Sequence, residues 1–416
     1  MNNKKTIVVV GGGPAGMMAA ISANSHSANV ILVEKNNSLG KKLILTGGGR
    51  CNFTNLTEIN QYEKHFFHGG KFLGDAFRKF SNKDTLQFFK KNGVDYRVEN
   101  NNFVFPSTGH AESILEVFKK LIKQNQIKIL LNHSLLKVIV KNNRVTGVLL
   151  NNNRTLDCSD LILATGGLSY PHTGSNGEGL KVASKLGHKI TDLRPGLVSL
   201  KVSQQHIRNL EGLSIKNALL VFKNNNKKLR SKKGDFLFTN DGLSGPLALS
   251  ASSAISDWLT KTKKIKLTID FYPDLTKEML TETLKKEITL YPKKNISNLL
   301  GTMIVQRLAQ EILGMNKIEA SKKVSYVTKT ERSAIINSLK NMQLDIIGNG
   351  PIEKAMITQG GISLKQVCPK TMESRIVKGL YFAGEILDVD GDCGGFNLQS
   401  AFSTGYCAGE HAKLSV

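Results

Sequence analysis

An α/β fold, with a Rossmann-type parallel-sheet domain split by an inserted β-rich region and a small helical region, is predicted by three features of this chain. Residues Thr6–Val10 form an apolar, β-branched run that meets Gly11-Gly-Gly-Pro-Ala-Gly16 and continues into a helix-forming stretch, Ala15–Ile21. A second strand-like run, Val30–Val33, ends on Glu34. Far along the chain, Gly379-Leu-Tyr-Phe-Ala-Gly-Glu385 repeats the pattern of a buried strand running into glycine and an acid. Runs of this length suit buried parallel strands and are too short for core helices.

Each residue of the first junction has a task. Gly11, Gly13 and Gly16 fit the G-x-G-x-x-G spacing, in which the first makes a tight turn, the second admits a pyrophosphate and the third lets helix and strand pack closely. Pro14 and Ala15 open the helix, whose free N–H groups and dipole favour an anion. Glu34, followed by Lys35, is placed to accept hydrogen bonds from ribose hydroxyls. The spacing alone is weak evidence; strand, glycines, helix, strand and acid in this order point to a dinucleotide. Gly384-Glu385 lies roughly 370 residues beyond Gly11, a separation that suits FAD, which is gripped by both ends of a chain, better than NAD, whose contacts are local.

Between these ends the chain alternates. Thr46–Gly49 must be irregular, because three glycines neither hold a helix nor favour a strand. With Arg50 and Asn52 this stretch would suit phosphate and carbonyl oxygens, though as a bare motif it equally fits a flexible loop. Residues 72–92 read as one or two helices, Val94–Glu99 and Phe103–Phe105 as short strands, and Ala111–Lys123 as an amphipathic helix. Strand-like runs follow at Lys128–Leu131, Leu135–Lys141 and Arg144–Asn151, and Asp160–Leu163 runs into the turn Ala164-Thr165-Gly166-Gly167. Beyond Arg194-Pro-Gly196 short strands dominate to residue 272, 274–340 is helical by period, and Leu344–Ile347 and Glu353–Thr358 return to strands. A small-residue helix spans 400–411, and no internal repeat is present.

Composition bounds the setting. The 416 residues, 40% hydrophobic and 22% charged, are ordinary for a globular chain of two or three domains. No apolar run approaches the ~18–20 residues needed to cross a bilayer, and the first apolar run breaks on glycine too soon for a signal peptide. Five scattered cysteines without a C-x-x-C pair fit reduced thiols, and a cytoplasmic location is expected. The net charge of +24 would attract polyanions. Lysine outnumbers arginine several-fold and asparagine runs accompany it, so compositional drift is an alternative source of the charge.

The segments Gly11–Gly16, Lys41–Asn55, Val104–Pro106, Ala164–Gly179, Leu237–Pro246, Thr358–Gly361 and Gly379–Gln399 together resemble the BaiN/aminoacetone-oxidase-like family of NAD(P)/FAD-dependent flavoproteins, over nearly the whole chain. The resemblance implies a glutathione-reductase-like FAD domain from residues 1–195 and 350–416. It also implies a β-rich substrate domain from 196–272 and 341–349, and a helical domain from 273–340. It places the ADP moiety on Gly11, Gly13, Gly16 and Glu34. Lys42, Thr46, Gly48, Arg50, Cys51 and Asn52, with Thr165 and Gly166, would line the path to the flavin, and Gly384, Glu385, Asp388, Gly395, Asn397 and Leu398 would hold its ribityl chain and ring. Asn240 departs from the family's pattern, where histidine follows Leu-Phe-Thr.

Proton delivery must come from the protein. Cys393 is a candidate acid beside the ring, with a buried packing role as the alternative; Tyr170 and His172 are candidates to face substrate, or to pack and be exposed respectively. Cys51 fits packing better than chemistry. No metal site is expected. No second strand–GxGxxG–helix unit appears, so NAD(P)H docks transiently or the substrate itself reduces the flavin. Family activities include reduction of a ribosomal-RNA uridine to dihydrouridine. For that reading Lys227, Lys228, Arg230, Lys232 and Lys233, with Lys261, Lys263 and Lys264, are the candidate RNA contacts, although this tract lacks aromatics for base stacking. A small-molecule flavoenzyme (amine oxidase, or enoate or steroid reductase) and a flavin-bearing binding or sensing protein are the alternatives. The sequence leaves the oligomeric state open.

Overall fold

The computed structural model describes residues 4–415. It divides into two compact units, Met1–Gly196 with Ile352–Val416, and Leu197–Pro351, each around its own hydrophobic core.

The first unit is built on five parallel strands in the order Leu380–Phe382, Asp160–Leu163, Lys5–Val10, Ala28–Val33, Lys128–Leu130. The predicted Rossmann-type sheet is present, and its central strand is almost wholly buried because β-branched residues on both faces are covered by helices. Helix Pro14–Ala23 crosses over between the first two strands. Against it packs Phe396–Leu414, longer than the predicted 400–411. A Cβ on Gly405 would sit 2.3 Å from Ala15 O, and one on Gly409 2.1 Å from Ser22 Oγ, so the two backbones approach as only glycine permits. The C-terminal end is tied to the first strand by a buried charge. Asp160, fully buried, accepts from Lys5 Nζ at 2.9 Å and from Ser415 Oγ at 2.7 Å.

In the second unit, strands 227–230, 214–224, 234–239, 242–244, 200–202, 342–349 and 265–270 pair in that order. Leu219–Lys223 also pairs with Lys266–Asp270, which closes a ring of six antiparallel strands. Helices Lys277–Leu290, Ile296–Met303, Gln306–Met315 and Lys329–Asn341 share one core with this sheet. Two expectations shift. A helix, Gly245–Ala254, interrupts the strand-rich stretch, started by proline in its first turn and carried by Ala, Leu and Ser whose buried face shows almost no periodicity. Of the expected 353–358 strand only the end is formed, within Ile357–Gln359, because Ile352–Lys354 after Pro351 coils into a helical turn. Asn240 is exposed at a strand end.

No helix among the described residues is long and apolar enough to cross a membrane, and no cluster of metal-ligating side chains is found among them. All five cysteines are free thiols.

Candidate functional site

Within the first unit a cleft of about 1320 Å³, its open mouth included, runs along the C-terminal ends of the parallel strands. Gly11 to Ala15 form one wall. Gly11 holds φ +109, and its Cβ would lie 2.4 Å from Ala164 O; a Cβ on Gly16 would lie 1.8 Å from Gly11 O. Both glycines are therefore forced by packing, and Gly16 does not reach the cleft. Gly13 differs, because its Cβ would meet nothing within 4 Å and the space beside it belongs to the cleft. Helix Pro14–Ala23 starts there with proline in its first turn, no acid and no side-chain cap, so its N–H groups are left for a ligand.

Glu34 is nearly buried on the same wall. Its Oε2 accepts from Gly12 N at 2.6 Å, and Oε1 from Asn36 N at 2.8 Å and Asn36 Nδ2 at 2.7 Å. The carboxylate thus pins the glycine loop while keeping lone pairs for hydroxyls. Lys35 pairs with Glu178 at 3.1 Å at the rim. Burial would raise the Glu178 carboxyl, but hydrogen bonds from Asn176 and Lys35, with the charges of Lys35 and Lys181, hold it below the usual range.

At the opposite end four distant segments are knotted together. Glu385 Oε2 accepts from Lys42 Nζ at 2.6 Å; Oε1 accepts from Ser169 Oγ at 2.9 Å and Thr358 N at 2.7 Å. Lys42 Nζ also donates to Ser169 Oγ at 2.6 Å, and Thr358 Oγ1 accepts from Leu168 N at 2.7 Å. Ser169 and Thr358 are not among the residues singled out from the sequence, since nothing in either one's own stretch shows that it meets Glu385. Gly384 (φ +74) bends the chain tightly, with a Cβ there only 2.7 Å from Ala15 Cβ. Asn397 and Leu398, in the first turn of Phe396–Leu414, bring a second acid-free helix N-terminus to the cleft, capped by Gly395 (φ +92). Asn397 Oδ1 accepts from Gly391 N at 2.8 Å, and its Nδ2 donates to Gly391 O at 2.9 Å.

Thr46, Thr165 and Gly166 also line the cleft. The hydroxyls of Thr165, Ser175 and Ser400, all in the lining, are buried without a hydrogen-bond partner among the described residues. Buried orphan donors beside an open glycine loop are what a polar ligand would satisfy.

Other candidates stand off the cleft. Gly47, Gly48 and Gly49 all have positive φ and make the expected irregular turn. Arg50 instead pairs with Glu99 at 2.9 Å and lies 4.3 Å over the Phe105 ring. Asn52 Oδ1 accepts from Val104 N at 3.2 Å. Cys51 is fully buried, and burial pushes its thiol to about 12. Burial likewise pushes the Cys393 thiol far up, with Asp392 adding to it. Asp388 is raised by burial, with the charge of Asp390 adding to it, against a hydrogen bond from Thr191 and the charges of His68 and Arg194. Tyr170, in the left-handed region at φ 52, packs edge-on to the exposed His172 at 5.7 Å between ring centroids. Of the candidate RNA contacts, Lys233 is paired with Asp274, and Lys264 with Asp345 at 2.8 Å.

The split Rossmann domain and its two-ended cleft are those of a dinucleotide-binding protein of the α/β class, and its family and relatives place it among the FAD-dependent oxidoreductases. The chain belongs to the family described as HI0933-like protein Rossmann domain, whose model matches residues 5–411. It is similar to the 3-dehydro-bile acid delta(4,6)-reductase of Clostridium scindens, 29% identical over 406 residues and 96% of each chain. It is also similar to the ribosomal RNA dihydrouridine synthase of Escherichia coli, 28% identical over 400 residues, 95% of this chain and 94% of that one. The 3-ketosteroid delta1-dehydrogenase of Sterolibacterium denitrificans shares the fold at 14% identity, with a TM-score of 0.56 and full coverage of both chains.

Proposed function

We propose that this chain uses electrons from NAD(P)H to reduce an activated carbon–carbon double bond, and that the bond belongs to a uridine of ribosomal RNA. The cleft suits FAD in its chemistry. Gly13 and the first turn of Pro14–Ala23 would take the pyrophosphate, and Glu34 the adenosine ribose. Lys42, Thr46, Glu385, Asn397 and Leu398 would surround the ribityl and ring end, with the orphan hydroxyls of Thr165, Ser175 and Ser400 as further donors. Bound there, FAD supplies two-electron transfer, and the residues of the chain supply position and exclusion of water. A carbonyl-conjugated double bond is the chemistry common to both relatives, a bile-acid delta(4,6)-reductase and a dihydrouridine synthase.

One observation carries the RNA reading. In the second unit Lys223 stands directly across from Lys228 on one side and Lys266 on the other, and all three are exposed. Like charges directly opposed across strands cost stability. A row that persists at that cost, on a chain of net charge +24, fits a polyanion backbone. The test is a dihydrouridine map of total ribosomal RNA from the host with and without the gene. Loss of a single dihydrouridine, restored by purified protein with NAD(P)H, is expected. An unchanged map would sink the RNA reading and turn the search to small enones.

A further inference from the structure

The stacking aromatics missing from the basic hairpin occur elsewhere in the same unit, assembled by two segments far apart in sequence. Residues 291–296 and 322–326 run antiparallel. Ser325 N donates to Pro292 O at 3.4 Å, Val324 N to Lys294 O at 3.0 Å and Ile296 N to Lys322 O at 2.9 Å, and Asn295 bridges Lys323. That register brings Tyr291 and Tyr326 to the same end of the pair. Neither is used by the core: Tyr326 is 73% exposed, Tyr291 44%, and the neighbouring Leu290 66%.

One ammonium group lies over the Tyr291 ring, and further lysines lie on the same two segments. Lys294 Nζ lies 3.9 Å from the centroid of the Tyr291 ring. Lys323 Nζ is steered by Asn295 Oδ1 at 2.9 Å, and Lys293 is exposed. The carboxylate of Glu331, on the helix that follows, is taken by Lys322 at 2.7 Å and by the Thr328 N–H at 2.7 Å. Exposed aromatic faces interleaved with cations match unpaired nucleobases and the phosphates that join them. A duplex hides its base faces and offers no such match.

We propose that Tyr291 and Tyr326, with Lys293, Lys294 and Lys323, form a platform on which unpaired bases of an RNA substrate stack. This rests on the ribosomal-RNA reading and names a surface for it. The experiment titrates the full-length, flavin-loaded protein into a short labelled single-stranded RNA and into its duplex, and follows fluorescence anisotropy. Y291A and Y326A should each weaken single-strand binding by about 10-fold, since each stacked base contributes separately, and leave duplex binding within about two-fold. Y291F and Y326F, which keep the ring face, should bind as the parent does. All four should keep the parent's flavin content and circular dichroism.

The proposal is overturned if the Y291A/Y326A double variant binds single strands like the parent, or if the parent binds neither RNA. It is also overturned if the double variant loses only self-association in sedimentation, which would make the patch a contact with a second copy. The two readings fail separately. A gene-dependent dihydrouridine fully restored by Y291A/Y326A sinks the platform alone. An unchanged map with tyrosine-dependent single-strand binding sinks the uridine reading and supports the platform.

Discussion

Glu385 shows how much a single side chain can decide. Its two oxygens take three donors, from Lys42, Ser169 and Thr358, so the carboxylate ties loops together before it touches any ligand. Lys42 and Glu385 are both about one-fifth exposed. Breaking such a half-buried pair leaves a desolvated charge behind, a larger effect than a surface pair produces. His188 makes the residue-scale prediction. It is buried, with Nε2 2.8 Å from Ser374 Oγ and its ring edge-on to Phe382 at 5.0 Å. Burial lowers its pKa below the ordinary 6.5, against a weaker opposing hydrogen bond to Ala183 O. A lowered value means that the native state prefers the neutral ring. Its contribution is then whole above the unfolded pKa and is lost as pH falls through the native one, at no more than about 1.4 kcal/mol per pH unit. His188→Gln should therefore lose less stability between pH 7.5 and 5.5 than the parent does, as read from urea midpoints. Equal losses would show that burial does not lower the pKa of His188 in the native state.

At the scale of elements, the first βαβ unit separates glycines that the fold needs from the one that the ligand needs. Gly16 has no room for a Cβ, which would sit 1.8 Å from Gly11 O, whereas Gly13 has open space. Gly16→Ala should cost folding outright, as over-packed interfaces do, by about 1–3 kcal/mol or more. Gly13→Ala should leave the melting temperature of the flavin-free protein almost unchanged and reduce flavin retained through gel filtration, because the methyl fills the cradle. A Gly13→Ala protein with full flavin content would mean that the pyrophosphate lies elsewhere. The helix Phe396–Leu414 works with this unit. Its glycines let it lie against Pro14–Ala23, and its first turn reaches the same cleft from the other side.

At the scale of the whole molecule, the excess of positive charge is arranged as well as abundant. Lys228, Lys223 and Lys266 form a row across three strands, continued by Asp345, which is paired with Lys264. Lys223→Gln with Lys266→Gln should stabilise the protein by roughly 0.5 kcal/mol, by removing repulsion between opposed like charges. The same change should weaken RNA binding evenly across sequences and flatten its dependence on salt, since each lost phosphate contact releases about one counterion fewer. Stabilisation without any loss of RNA affinity would make the row a product of composition.

The sequence by itself determined the class of fold and both ends of the cleft, because those signals are local. An apolar strand meeting G-x-G-x-x-G, a strand ending on Glu34, and a strand ending on Gly384-Glu385 each carry their turn chemistry and periodicity within a dozen residues or so. The helix Gly245–Ala254 reads in the sequence as part of a strand-rich stretch, since a helix buried all round leaves no period to read. Only the tertiary structure decided which side chains meet. The knot at Glu385 joins it to Lys42 across 343 positions, the lysine row depends on the register of three strands, and the pairing of two loops brings Tyr291 and Tyr326 to one end of that pair. Contacts of that kind follow from how the backbone closes on itself, and no short stretch of sequence encodes that closure.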